Sequence, residues 1–413
     1  MKPMGPIPAD YGHRDGKLLI GGHGVDALIA EAGDTPLFVY DLDVVRARIA
    51  AFRSAFPRVA LHYAIKANPF PPLVMAMIPL VDGIDVASSG EAAVALAAGM
   101  DAHHVSFAGP GKRDQEIEAA ILAEVTINLE SGREADRALA IGERLGVRPR
   151  LAVRVNPDFD LRGSGMKMGG GAKPFGVDAD LAAALVKRIA AAGADYRGLH
   201  IFPGSQALDP QAIIAAQASA LALAHRLTEE AGIAPPLVNL GGGFGIPYFP
   251  GEKPIDIKVI GAVLGEALED RPAALADAEF AIELGRWLVG EAGVYLTRIV
   301  DRKVSHGETF LVTDGGLHHQ LAASGNFGTV VRRNYPVAVA NRFDADAEEE
   351  ASVVGCLCTP LDRLADRVAL PRAEEGDVIA VFMAGAYGAT ASPQAFLGHP
   401  PPLEMLVGDG AAP

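Results

Sequence analysis

From Leu37 onward a short apolar run, a polar or glycine stop and an alanine-rich helical stretch follow one another repeatedly, and this alternation restricts the fold more than anything else in the chain. The apolar runs are Val59–Ile65, Gly83–Ala87, His104–Phe107, Val125–Leu129, Leu151–Val155, Gly198–Phe202, Leu237–Leu240 and Phe280–Glu283. Helical stretches fall between them, among them Gly90–Ala98, Asp114–Ala123, Arg133–Leu145, Ala179–Ala192 and Pro210–Ala231. Strands that alternate with helices pair in parallel as βαβ units. Eight such units in roughly 250 residues fit a (β/α)8 barrel. A doubly wound open sheet is the rival, but no Gly-x-Gly-x-x-Gly follows the first strand.

The texture changes after Arg286. Val294–Ser305, Glu308–Thr313, Val337–Asn341, Val353–Cys358 and Val378–Met383 are β-rich segments separated by glycine, proline and acidic residues. They predict a second, all-β domain, a small barrel or sandwich. Residues 1–35 are irregular, with Pro3, Pro6 and Pro8, apart from a helix-like Val25–Ala32.

Charge narrows the partners. The 413 residues carry a net charge of -15, which argues against electrostatic nucleic-acid binding while leaving room for a small anion held locally. Cys356 and Cys358 are the only cysteines, so no disulfide framework follows and a reducing, cytoplasmic setting is expected. Met1–Asp10 lacks the pattern of a secretory leader, and the Ala212–Ala224 run is broken by Gln217 and Ser219, so no membrane span is expected.

Barrel enzymes place their chemistry at the C-terminal ends of the strands. Here those ends carry Lys66, Ser88, Asn156, Phe202 to Ser205, Gly241 to Gly243, and Glu283 to Arg286. Lys66 closes an apolar strand before Asn68-Pro69 turns the chain. A lysine there is either a partly desolvated amine able to form a Schiff base or an ordinary lysine reaching water. Gly241-Gly242-Gly243 either closes backbone N–H groups around a phosphate or is a plain turn. Glu283 and Arg286 either meet a pyridine nitrogen and an anion, or pair with each other. Cys358 lies where a thiol could donate a proton, and Cys356 reads as a small buried hydrophobe. Met166–Gly171 is a glycine-rich loop, a lid or a generic connection. His318-His319 resembles a metal pair, but neighbours on a strand face opposite ways, so no metal site is expected.

In this order the motifs resemble the fold-type III pyridoxal-phosphate decarboxylases, the diaminopimelate, ornithine and arginine decarboxylases, from about Pro36 to Gly398. The resemblance implies an alanine-racemase/ornithine-decarboxylase type fold. Its PLP-binding barrel is expected at residues 36–282, and residues 1–35 with 283–413 are expected to form a Greek-key-like β domain. It implies α-decarboxylation of an amino acid by a homodimer with shared active sites. Lys66 would carry the Schiff base and Asp85 would support the floor of the site. Arg154 would lie near the cofactor's phenolic oxygen and Glu283 at its pyridine nitrogen. Ser205, Gly241, Gly242, Gly243 and Tyr387 would hold the phosphate, with Gly285 and Arg286 beside them. Cys358 would reprotonate the α-carbon across the dimer interface, and Arg286, Thr359, Asp362 and Tyr387 would face substrate.

The departures are specific. Phe202 stands where the family has a histidine in His-x-Gly-Ser, and Leu284 replaces the proline of Glu-Pro-Gly-Arg. Thr359 replaces the glutamate of Cys-Glu-Ser, so it cannot pair with a distal ammonium. Ala322 occupies the place of the arginine expected at a distal carboxylate, with Arg332 and Arg333 beyond an inserted Ala323–Thr329. These losses argue against free meso-diaminopimelate. Ser324–Gly328, Cys358–Asp362 and Gly385–Gly388 are similar to a subgroup tied to exosortase loci and to decarboxylation of carrier-protein-bound amino acids. An amino-acid racemase is the alternative, and the β-domain motifs speak against it.

Overall fold

A computed structural model of the chain describes residues 1–325 and 333–409. The chain forms two compact units, one from Ile49–Ile246 with Pro254–Gly285, the other from Met1–Arg48, Pro247–Lys253 and Arg286–Pro413.

In the first unit eight parallel strands pair in chain order: Ala60–Ala64, Gly83–Val86, Val105–Phe107, Thr126–Leu129, Arg150–Asn156, Asp195–Ile201, Leu237–Gly242 and Glu279–Leu284. The last pairs back onto the first, Glu283 opposite His62 and Leu284 opposite Tyr63, so the sheet closes into the expected (β/α)8 barrel. These strands read as continuous apolar runs because both faces are covered, the inner by the barrel core and the outer by helices. Helix starts follow local capping. Ser88 and Ser131 accept the backbone N–H of Glu91 and Glu134, each at 3.1 Å, and Asp209 caps the long helix Pro210–Ala231. Gly232 ends that helix in the left-handed region at φ 66°.

The second unit is a mixed β-sheet built around the strand Gly293–Ser305. That strand pairs with Glu308–Thr313 and Val378–Val381, and Glu349–Val354, Arg363–Leu370 and Val337–Val339 extend the sheet. Leu37–Asp41 pairs antiparallel with Gly293–Ser305 and parallel with Leu403–Val407. The expected boundary at residue 36 placed this strand with the barrel. Its actual partners lie more than 250 positions away in sequence, as Gly293 opposite Tyr40 shows, and no local pattern reveals such a pairing. Phe38 and Tyr295, both fully buried, meet across it with ring centroids 4.8 Å apart. Among the described residues no helix is long and apolar enough to cross a membrane.

Candidate active site

The strand Ala60–Ala64 stops in a single 3-10 turn, Ile65–Ala67, that presents Lys66. The turn is fixed from below. The Tyr63 hydroxyl donates to the Asn68 carbonyl at 2.7 Å, and the Asn68 side chain accepts the Phe70 N–H at 3.1 Å. Lys66 therefore leaves the barrel wall in a set direction, its side chain 43% exposed into a cavity of about 240 Å3.

Glu283, from the last barrel strand, lies on the other side of the amine, with Lys66 Nζ 3.7 Å from its Oε1. Its Oε2 is 3.0 Å from His200 Nε2. A carboxylate only accepts, so Nε2 carries the proton of that bond. Burial alone pushes the Glu283 carboxyl up. The Lys66 charge, the His200 hydrogen bond and charge, and Arg154 outweigh it and hold the group at about 2. At neutral pH Glu283 is a buried anion opposed by an amine.

Arg154 is buried beside this pair. Its Nη1 donates to Glu130 Oε1 at 2.6 Å, its guanidinium lies 5.2 Å from the Phe175 ring centroid, and Glu130 also accepts the N–H groups of Gly109 and Gly176. Asp85 holds His62 Nδ1 at 3.2 Å through one oxygen. Its Oδ1, like His200 Nδ1, is buried with no hydrogen-bond partner among the described residues. Phe202 closes the cavity with its ring centroid 5.5 Å from Lys66 Nζ.

The glycines act by close approach. A Cβ on Gly242 would stand 2.0 Å from the Glu283 carbonyl, and Gly241 and Gly243 are similarly hemmed in by Ile201 and Gly204. The run therefore lets its loop lie flat on neighbouring strand ends. Gly285 is packed under the lysine turn, where a Cβ would be 2.8 Å from Ala67 Cβ and 3.0 Å from the Ala64 carbonyl. Gly285→Ala is expected to shift that turn and to lower kcat/KM roughly 10- to 100-fold, the scale of a sub-ångström to ångström misplacement. Steady-state kinetics check it, and wild-type kcat/KM would show that Gly285 does not seat the turn. Ser205 sits in the two-residue strand Gly204–Ser205, paired with Met166–Lys167. The Met168 and Gly169 N–H groups both bond to the Pro203 carbonyl at 3.1 Å. The Met166–Gly171 loop is thereby stitched down, and Met168 lines the cavity.

Reading the strand ends missed His200, Glu130 and Phe175, while Met168 lies in the Met166–Gly171 loop that the sequence singled out. Two of the missed residues had a signal. His200 is two residues before Phe202 and so shares its face, and Glu130 directly follows the strand Thr126–Leu129.

The remaining expected residues belong to the β unit. The Arg286 guanidinium lies 4.7 Å from the Tyr387 ring centroid and donates from Nη1 to the Tyr248 hydroxyl at 2.8 Å, while its buried Nε has no hydrogen-bond partner among the described residues. Tyr387 adopts φ 55°, rare for a non-glycine residue. Cys358 is exposed and Thr359 half-buried. Asp362, expected at substrate, is instead buried and accepts the N–H of Leu317 at 2.7 Å and of Leu357 at 2.9 Å. Arg333, offered as a substitute for the missing distal-carboxylate arginine, pairs with Glu252 at 3.3 Å and lies 3.6 Å over the Phe249 ring. Arg332, Asn326 to Gly328, and most of the inserted stretch lie outside the described residues. His318 and His319 are not on a strand but in a turn, and their ring centroids approach to 3.8 Å.

Comparison with known proteins agrees with the fold. The model of the pyridoxal-dependent decarboxylase family, pyridoxal binding domain, matches residues 42–290. An L-glutamyl-[BtrI acyl-carrier protein] decarboxylase from Niallia circulans is 36% identical over 92% of this chain and 90% of its own. A diaminopimelate decarboxylase from Aquifex aeolicus is 31% identical over 97% of this chain and 92% of its own. Among solved structures, diaminopimelate decarboxylase from Helicobacter pylori complexed with L-lysine superposes with TM-score 0.81 at 28% identity, covering 93% of this chain and 94% of that one.

Proposed function

Because the chain belongs to the pyridoxal-dependent decarboxylases, we propose that its substrate is an amino acid tethered to an acyl-carrier protein, and that the Lys66–Glu283–His200 face of the barrel performs the decarboxylation. The observation that carries the site assignment is the amine of Lys66 held 3.7 Å from a buried carboxylate that His200 also holds.

The residues present fit the cofactor. An amine suited to hold an aldehyde faces an anion suited to hold a proton on a pyridine nitrogen, and the buried, unpartnered atoms of Asp85 and His200 await polar groups. Bound pyridoxal phosphate supplies the electron sink for the pair left behind when the carboxylate departs as CO2. Lys66 would hold the cofactor through its amine. Glu283 would keep the ring nitrogen protonated, and His200 and Arg154 keep Glu283 ionised. Arg154 would also meet the phenolic oxygen. Phe202 can stack on the ring but cannot hydrogen-bond to it. Ser205 and Gly241–Gly243 would receive the phosphate, and the same reading gives Arg286 and Tyr387 an anionic group. Cys358, exposed in one chain, would deliver a proton to the α-carbon of substrate held by a second copy, so the working form is a homodimer. With both cysteines free, a cytoplasmic setting suits it.

The substrate follows from what is missing. Thr359 offers no charge to a distal ammonium, Ala322 offers none to a distal carboxylate, and Arg333 is engaged elsewhere. The relative named for a carrier-bound glutamyl substrate shares 36% identity. The expected result is CO2 release from a glutamyl-carrier thioester at least about 100-fold more efficient in kcat/KM than from free glutamate or meso-diaminopimelate, a difference of about 2.7 kcal/mol. Efficient turnover of free diaminopimelate would overturn the substrate assignment and leave the chemistry intact.

A further inference from the structure

In the β unit, His318, Cys356 and His399 place one donor atom each within 4.8 Å of one another. We propose that they form a metal-binding site, selective for a borderline-soft divalent cation such as zinc.

The donor types are those zinc takes, two imidazole nitrogens and one thiolate. The spacing is close to what coordination requires. Donors in a tetrahedral zinc site stand about 3.5 Å apart, and Cys356 Sγ is 3.9 Å from the His399 ring nitrogens. A second, independent observation is His318 itself. Its ring is completely buried, and neither nitrogen has a hydrogen-bond partner among the described residues. An imidazole buried without partners costs about 1–3 kcal/mol, and a bound cation would satisfy one nitrogen.

The surroundings hold the three donors in place. Asp362 accepts the N–H groups of Leu317 and Leu357, and thereby clamps the residue before His318 to the residue after Cys356. His319 receives a hydrogen-bond contact from Tyr295 at Nδ1 and reaches the Pro400 carbonyl at 3.0 Å through Nε2, which fixes the chain next to His399. Such outer contacts orient ligands before the metal arrives. Three protein donors leave a fourth position for water. On binding, the Cys356 thiol gives its proton to solvent and the sulfur joins the cation, so one proton is released per metal. The assignment is independent of the decarboxylase reading, since none of the three donors has a role in it.

The holoenzyme is loaded with zinc, desalted through a weak chelator and assayed for metal, alongside Cys356→Ser, His318→Asn, His399→Gln and Cys358→Ser. About one zinc per chain is expected in the wild type and in Cys358→Ser. The three ligand variants are expected to bind at least about tenfold more weakly, the effect that loss of even an outer contact produces. The cofactor absorbance of each variant reports that it is folded. Cobalt substitution of the wild type supplies a readout that needs no variant, because tetrahedral nitrogen–sulfur coordination gives intense visible bands in the difference spectrum. A wild type that retains no zinc and shows no such bands overturns the site, as does equal retention by all five proteins.

Discussion

Lys66→Ala is expected to lose decarboxylation by roughly 10^4-fold or more, the scale on which removal of an enzyme's covalent nucleophile acts. The visible absorbance of bound cofactor should disappear with it. Lys66→Arg separates two contributions of the side chain. It keeps a cation near Glu283, so the fold should be preserved, but it offers no amine that can be deprotonated, so activity should stay absent. In Lys66→Ala the buried Glu283 loses the largest influence holding its charge, and the carboxyl should move up. CO2 release and the absorbance spectrum read the first effect, and thermal unfolding reads the second. Near-normal turnover by either variant would remove Lys66 from the chemistry.

Glu283→Gln should cost about 10^2- to 10^3-fold in kcat, in line with loss of one oriented electrostatic partner of a developing charge. It should also change the acid limb of stability. Glu283 in the folded protein sits at about 2 against an ordinary 4.5. A depressed carboxyl stabilises the fold above its unfolded value, and that contribution disappears as the pH falls from about 4.5 toward 2. Between pH 5 and 8 wild type and variant should therefore show parallel stability curves, and below 4.5 the wild type alone should lose the Glu283 contribution. A wild-type curve that keeps pace with the variant down to pH 2 would contradict the buried ion pair.

The barrel was legible because its signal is local and repeated. Each strand is a buried run a few residues long, and helices such as Pro210–Ala231 announce both ends, Asp209 at the start and Gly232 at the finish. Lys66 and Glu283 stood out as charges ending apolar runs. His200 did not, because inside an apolar run it reads as one more core position until the strand Glu279–Leu284, two along in the barrel, brings Glu283 to it. Arg363–Leu370 was missed because its charged residues, Arg363, Asp366 and Arg367, hide the alternation. The turn at His318-His319 was misread because the strand rule that separates neighbouring side chains does not hold there. Asp362 looked like a substrate contact and proved to be a clamp on two backbone segments, a role that only tertiary structure can assign.

The pairing of Leu37–Asp41 with Leu403–Val407 also bears on how the protein is made. A ribosome adding 5–20 residues per second needs on the order of tens of seconds to travel from one strand to the other. Throughout that interval the emerging N-terminal strand has backbone groups on its Leu403–Val407 side with nothing to bond to, while the closed eight-strand barrel already has every strand it needs once Leu284 is out. The barrel can thus form during translation, and the β unit lacks this pairing until Leu403–Val407 has been made. An early stop before Leu403 should leave a nascent product with a competent barrel and an uncovered, self-associating edge, the kind of chain that chaperones hold and proteases clear.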